Sequence, residues 1–287
     1  MIPIIQDRLE SYKTRNPIGA EQATKEILQE VALYALWRAR FFEIAAFQGG
    51  TSLRILHRLP RFSEDLDFML KQPDESFDWS SYLKSIQVIF TEFGIYSEVL
   101  PKGRMDKRIR QAIIKDNSIA NQLDLSFQPG DISRKLKIKL EIDVQPPKHS
   151  GYQYSFLDFP LDYEVCHQDL ASNFALKIHA ILCRGFLKGR DWYDFSWYTK
   201  NKVFPNLEHL NSALQQFGPW SNSEDLAINI DWLEHELRSK IDSIDWAEAK
   251  ADVSHFLQAT ELESLALWSD RFFNSKVDLL VTPHPVG

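Results

Sequence analysis

Cysteine is nearly absent from this chain. It occurs only as Cys166 and Cys183, seventeen positions apart. Two such residues form neither a zinc pattern nor a disulfide framework, and they fit a reducing compartment. No run of about eighteen residues is both apolar and free of charge, which excludes a membrane-spanning helix. The opening Met-Ile-Pro-Ile-Ile-Gln-Asp-Arg lacks a basic start followed by a long apolar stretch. No secretory signal is expected, and the expected location is the cytoplasm. There is also no internal repeat and no low-complexity segment.

What is there is ordinary in amount and uneven in distribution. Of 287 residues, 44% are hydrophobic and 25% charged, so disorder, collagen and coiled coil are poor readings. The length suits one large domain or two ordinary ones. A net charge of -7 argues against a nonspecific DNA coat. Between Lys102 and Lys139, however, ten Lys/Arg face four Asp, a local balance of +6. Between Glu224 and Arg271, twelve Asp/Glu face four Lys/Arg, a local balance of -8. A basic middle could meet a polyanion and an acidic end a basic partner, or both could be solvated faces.

Periodicity divides the chain near residue 160. The first forty residues are read as helical, with Ile27, Val31, Leu33, Tyr34 and Leu36 at helical spacing. Ile44 to Phe47 reads as a buried strand, Thr51 to Arg58 as a short helix, and Asp65 to Leu70 as a half-exposed strand. Trp79 to Phe93 reads as a helix. Strands are expected over Ile95–Leu100, Arg108–Lys115 and Ile119–Phe127. The clearest strand is Lys135–Val144, where Leu136, Ile138, Leu140, Ile142 and Val144 alternate with Lys135, Lys137, Lys139, Glu141 and Asp143. Residues 146–160 read as loop-rich. Helices are then expected at Asp169–Arg184, Asp191–Lys200 and onward to about Arg271. Strands gathered before helices favour an α+β fold. The expected divisions are a sheet domain over 1–160, a helical domain over 161–275 and a tail over 276–287.

Four groups of residues could carry chemistry. Asp65 and Asp67 are two apart on a strand, so both carboxylates share a face. Adjacent carboxylates repel unless a cation lies between them, and hard oxygen ligands suit Mg²⁺ or Mn²⁺. The same acid-x-acid spacing recurs at surface positions such as Glu261/Glu263, so context decides. That context is Gly49-Gly50-Thr51-Ser52 shortly before, ahead of a helix. A helix N-terminus offers N–H groups and positive potential to an anion. Its bland alternative is a tight turn capped by Thr51 or Ser52. No Lys-Ser/Thr pair follows at Walker spacing.

A third carboxylate on the Lys135–Val144 strand would complete a metal cluster if that strand neighbours the Asp65 strand. Asp143 is the first choice and Glu141 the more ambiguous one. The bland alternative is a Lys/Glu face with cross-strand ion pairs. Lastly, Lys177 and Arg184 are two helical turns apart and share a face, suited to phosphate oxygens. Arg190-Asp191-Trp192-Tyr193-Asp194 follows, with Asp191 either catalytic or an N-cap.

Together these segments resemble a known family. Phe47-Gln48-Gly49-Gly50-Thr51-Ser52-Leu53, then Arg61-Phe62-Ser63-Glu64-Asp65-Leu66-Asp67-Phe68, resembles the opening of the AbiEii/AbiGii-type toxins. These belong to the nucleotidyltransferase superfamily that includes DNA polymerase beta. Leu176-Lys177-Ile178-His179-Ala180 and Gly189-Arg190-Asp191-Trp192-Tyr193-Asp194-Phe195 resemble its downstream motifs. The resemblance runs from about Phe41 to about Lys200.

The resemblance implies a nucleotidyltransferase domain followed by a helical domain that contributes Lys177 and Asp191. It implies transfer of a nucleotide from an NTP to an acceptor, with pyrophosphate released, by a toxin of a bacterial toxin–antitoxin or phage-defence system. Gly49, Gly50, Thr51 and Ser52 would hold triphosphate. Asp65 and Asp67 would bind Mg²⁺, while Asp143 as third ligand rests on the strand argument above rather than on the family's pattern. Lys177 and Arg190 would contact the nucleotide, and Asp191 would be a base or an essential polar residue. RNA such as tRNA is the expected acceptor, and a separately encoded antitoxin the expected partner. Transfer to a small molecule or protein is the alternative, and a binding protein without turnover a further one.

Overall fold

The computed structural model describes residues 3–14, 17–104, 108–116, 136–221, 223, 226 and 228–281. The chain divides into two compact units. One holds Met1–Pro146 and Tyr152–His167, the other Pro147–Gly151 and Gln168–Gly287. The main division thus falls at the end of a strand rather than at residue 160.

In the first unit, α1 (Pro3–Ser11) and α2 (Pro17–Arg38) precede β1 (Ala45–Gln48), α3 (Gly49–His57), β2 (Leu66–Leu70) and α4 (Ser80–Glu92). Then come β3 (Ser97–Arg104), β4 (Ile109–Asp116), β5 (Leu136–Asp143), β6 (Tyr152–Leu157) and β7 (Tyr163–Gln168). Among the described residues these form one seven-stranded sheet in the order β3-β4-β5-β2-β1-β7-β6. It is mixed: β1 runs antiparallel to β2, while β2 and β5 pair in parallel. This is the α+β fold expected. The Ile119–Phe127 strand lies outside the described residues.

Two differences have physical causes. Residues 146–160 contain β6, whose Tyr154 and Phe156 are exposed. An edge strand with little burial carries a weak hydrophobic pattern and reads as loop. Residues 276–281, assigned to a tail, continue a helix whose Val277 and Leu280 are buried.

The core of this unit gathers the apolar faces of β2 and β5 under α2 and α4. Leu66, Phe68, Leu140 and Ile142 point inward, as alternation requires. α2 is buried over most of its length, including two acids. Glu26 pairs with Arg54 at 2.8 Å and Glu30 with Arg8. Such pairing is what a buried carboxylate demands.

The second unit is helical: α5 (Leu170–Cys183), α6 (Gly189–Lys200), α7 (Leu207–Gln216), α8 (Ile230–Ile241), α9 (Trp246–Ser254), α10 (Ala259–Leu262) and α11 (Asp270–Val281). Asp169 caps α5 by accepting from the Ser172 N–H. Aromatic packing fills the centre, with Phe174 stacked on Tyr198 and Trp246 on Phe273, both at 4.3 Å between centroids. No helix among the described residues is long and apolar enough to cross a membrane.

Candidate functional site

β1 runs straight into α3, and Gly49 makes the joint with φ +77. Only glycine takes that conformation without strain. The register places Gln48 opposite Asp67, which brings Gly49 against the Asp67 carboxylate. A Cβ at Gly49 would sit 2.7 Å from Asp67 Oδ2, and one at Gly50 would collide with the Arg61 guanidinium. Gly49 is therefore required by its backbone conformation, and a side chain at either glycine would have to displace the Asp67 or Arg61 tip that lies against it.

Thr51 and Ser52 are buried, and their hydroxyls are spent within the fold. Thr51 Oγ1 donates to the Asp65 carbonyl and lies 2.9 Å from Ser63 Oγ. Ser52 Oγ donates to the Gly49 carbonyl at 2.8 Å. Both side chains brace the glycine joint and the approach to β2. Neither caps α3 through its side chain, since the N-cap position is Gln48.

Arg54 completes this bracing. It pairs with Glu26, donates to the Leu59 and Pro60 carbonyls, and lies 4.4 Å over the Phe62 ring. It thereby orders the loop that ends at Asp65. In the sequence its only signal is its place one helical turn after Gly50.

Asp65 precedes β2 and Asp67 lies within it. In the parallel pairing with β5, Asp67 is the register partner of Glu141, and Met69 that of Asp143. Neighbours in register share a face, so Glu141 stands beside Asp67. Asp143 lies two register pairs further along and is engaged elsewhere. Its Oδ2 accepts from Arg108 at 2.8 Å and its Oδ1 from the Gln145 N–H at 2.9 Å. The Asp65, Asp67 and Asp143 cluster is not assembled. Among the described residues no three of His, Cys, Asp or Glu are grouped to hold a metal ion.

Lys139 joins the carboxylates instead. Its Nζ lies 3.7 Å from Asp65 Oδ2 and 3.3 Å from Glu141 Oε1. Burial works against its charge, yet Asp65, Glu141 and Asp67 together raise its pKa. Glu141 also accepts from Gln111. The donors are all oxygen, and a cationic group already bridges two of them. That fits a hard divalent cation, which typically takes one or two protein carboxylates and completes its shell with water and phosphate oxygens.

The helical unit holds its own charged cluster. Lys177 Nζ lies 2.7 Å from Asp191 Oδ1 and 2.9 Å from Asp194 Oδ2. Arg184 takes the other oxygen of Asp191. Desolvation opposes the charge on Asp191, but Lys177 and Arg184 outweigh it and hold its pKa below the usual carboxylate range. Asp191 does not cap its helix, whose N-cap is Lys188 with no side-chain bond. Arg190 lies 4.1 Å over the Phe256 ring, and its backbone N–H donates to Asp252. Asp194 went unassigned in the sequence, though it stands three positions after Asp191 on the same helix.

A family described as "Nucleotidyl transferase AbiEii toxin, Type IV TA system" matches residues 31–270. Two solved structures from Helicobacter pylori share the fold. One is described as a putative nucleotidyltransferase, with 16% identity and TM-score 0.51, covering 88% of this chain and 91% of that one. The other, JHP933, has 16% identity and TM-score 0.51, covering 90% and 91%. Among curated proteins no sequence relative is found.

Proposed function

We propose that this chain, which belongs to the AbiEii family of nucleotidyl transferase toxins, moves a nucleotide from an NTP to an acceptor and releases pyrophosphate. The observation that carries this reading is the meeting of Gly49 with Asp67, and of Asp67 with Glu141, at one end of a sheet. Backbone at a glycine joint can approach a triphosphate closely, and the start of α3 favours its charge. Asp65 and Asp67 hold Mg²⁺ or Mn²⁺ in this proposal, with Glu141 rather than Asp143 beside them. When bound, the ion neutralises charge developing on phosphate oxygens.

Asp65 and Asp67 are positioned before substrate arrives, because Thr51, Arg54 and the β1–β2 register fix the backbone around them. Preorganised charge of this kind is what electrostatic catalysis needs. Lys177 and Arg190 are assigned to the nucleotide on the family's pattern. Asp191, held by two cations, acts as the anchor that orients Lys177.

RNA such as tRNA is the proposed acceptor, and the basic middle segment supports it. A protein or small-molecule acceptor is the second reading. It is favoured by the pairing of Arg108 with Asp143 and of Lys139 with Asp65 and Glu141, which reduces the free basic charge of that segment. Membership in a type IV toxin–antitoxin family implies a separate antitoxin. The free thiols Cys166 and Cys183 accord with a cytoplasmic site of action.

The test is to incubate the purified protein with each α-labelled NTP, with and without Mg²⁺ and total tRNA, and to follow the label. Metal-dependent entry of label into RNA is expected. Label entering protein or a small product supports the second reading. Intact NTP under every condition overturns both.

A further inference from the structure

The helical unit contains a cavity of about 290 Å³ beside the Lys177 cluster, lined among others by Arg184, Phe186, Lys188, Lys240 and Ser243. Its charges are not settled as those of the neighbouring cluster are. Lys177, Arg184, Asp191 and Asp194 compensate one another. Lys188 is partly buried at the start of α6, and Lys240 lies on α8. Among the described residues neither has a carboxylate within 4.0 Å.

The setting of Lys188 makes this costly. Burial lowers its pKa, and Arg190, Lys177 and Arg184 lower it further, while Asp191 offsets this only in part. An ammonium held among other cations and shielded from water is stabilised by an incoming anion. Three carboxylates on the wall do not supply that charge in full: Asp191 is already held by Lys177 and Arg184. Asp245 caps α9 by accepting from the Ala247 and Glu248 N–H groups, and Glu248 is exposed. The Ser243 hydroxyl donates to the Lys240 carbonyl.

Phe186 adds a second chemistry. Its ring is 69% exposed and lies 5.0 Å from the Arg184 guanidinium. An exposed ring backed by a cation is a surface on which a nucleobase stacks.

We propose that this cavity binds a phosphate group of a nucleotide through Lys188 and Lys240, with Phe186 receiving the adjoining base. The identity of the carrier, a free NTP or an RNA strand, rests on the nucleotidyltransferase reading. The phosphate site itself rests on the cavity and its cations.

The experiment measures binding by the full chain at low salt, without turnover. The probes are inorganic triphosphate, each NTP, and a fluorescein-labelled single-stranded RNA. The variants are Lys188→Gln, Lys240→Gln, Phe186→Ala and, as a reference, Asp67→Asn. Lys188→Gln and Lys240→Gln are each expected to weaken binding about tenfold. For RNA each should also reduce the dependence of log affinity on log salt by about one contact. A merely structural role would not move that slope. Phe186→Ala should weaken probes that carry a base and leave triphosphate unchanged. Losses confined to RNA identify the strand as carrier, and losses confined to triphosphate and NTP identify the donor.

Binding to the cavity should persist in Asp67→Asn, which removes the proposed transfer. Failure of the transfer reading therefore leaves this result standing. Both lysine variants binding every probe within twofold of the wild type would overturn the proposal. So would a loss explained by unfolding in one lysine variant together with wild-type binding in the other, as judged by thermal melting.

Discussion

Asp67 and Glu141 stand side by side on one face of the sheet, as register partners in the parallel pairing of β2 with β5. Asp143, two residues on, is opposite Met69 and bound to Arg108. The two acids of β5 should therefore differ in their effects. Glu141→Gln is expected to lower transfer at least about tenfold, on the scale of a group that tunes a metal ligand. Asp143→Asn should leave transfer within about threefold and weaken stability by about 1 kcal/mol, through loss of a partly buried hydrogen-bonded ion pair. Steady-state rates and urea midpoints of the two variants check this.

Asp65→Asn and Asp67→Asn should each reduce transfer at least about a hundredfold, because each removes a charge from the proposed metal site. Circular dichroism should be unchanged, since the fold around them is braced by Thr51 and Arg54. Wild-type rates in both variants would remove the basis of the assignment.

Gly49→Ala should cost about 1–3 kcal/mol, because a side chain at φ +77 is strained wherever it occurs. It should also press on Asp67, so activity should fall further than stability alone explains. Gly50→Ala meets Arg61 instead, and its larger effect should be on the melting temperature.

Asp194→Asn leaves Lys177 with one carboxylate in place of two, in a cluster where Asp194 is fully buried. Breaking one partner out of a buried ion cluster costs about 3–5 kcal/mol. The denaturant midpoint should drop with an unchanged m-value.

His57 gives the pH prediction. Burial first and His167 second push its pKa down to about 4. The neutral ring is the form that the fold accepts, so its contribution to stability is complete above the unfolded value of about 6.5. It is lost as pH falls from there through about 4. His57→Gln should flatten that part of the stability curve relative to wild type, as read by melting temperature between pH 7 and pH 4.

Much of this was legible in the residues because alternation is local. β2 and β5 announce their inward faces without reference to any neighbour. Which acid of β5 meets Asp67 is a matter of register between strands about seventy positions apart, and no local pattern carries that. The Lys/Glu alternation of β5 allows cross-strand ion pairs, and Lys139 makes them, but which carboxylates it meets depends on the neighbouring strand. Asp191 stands near a helix start, a place that allows either a catalytic residue or a helix cap. Its partners Lys177 and Arg184 lie on the preceding helix, at distances that only tertiary packing reveals.

The alternation of β2 has a consequence for change by insertion and deletion. Asp67 faces outward and Phe68 inward, one residue apart. Removing one residue from the strand exchanges them, burying a charge and exposing a ring. Removing two restores the faces with a shorter approach from Gly50. The candidate site is thus protected by parity: odd shifts should abolish both fold and activity, whereas paired shifts should retain the fold and sacrifice only reach.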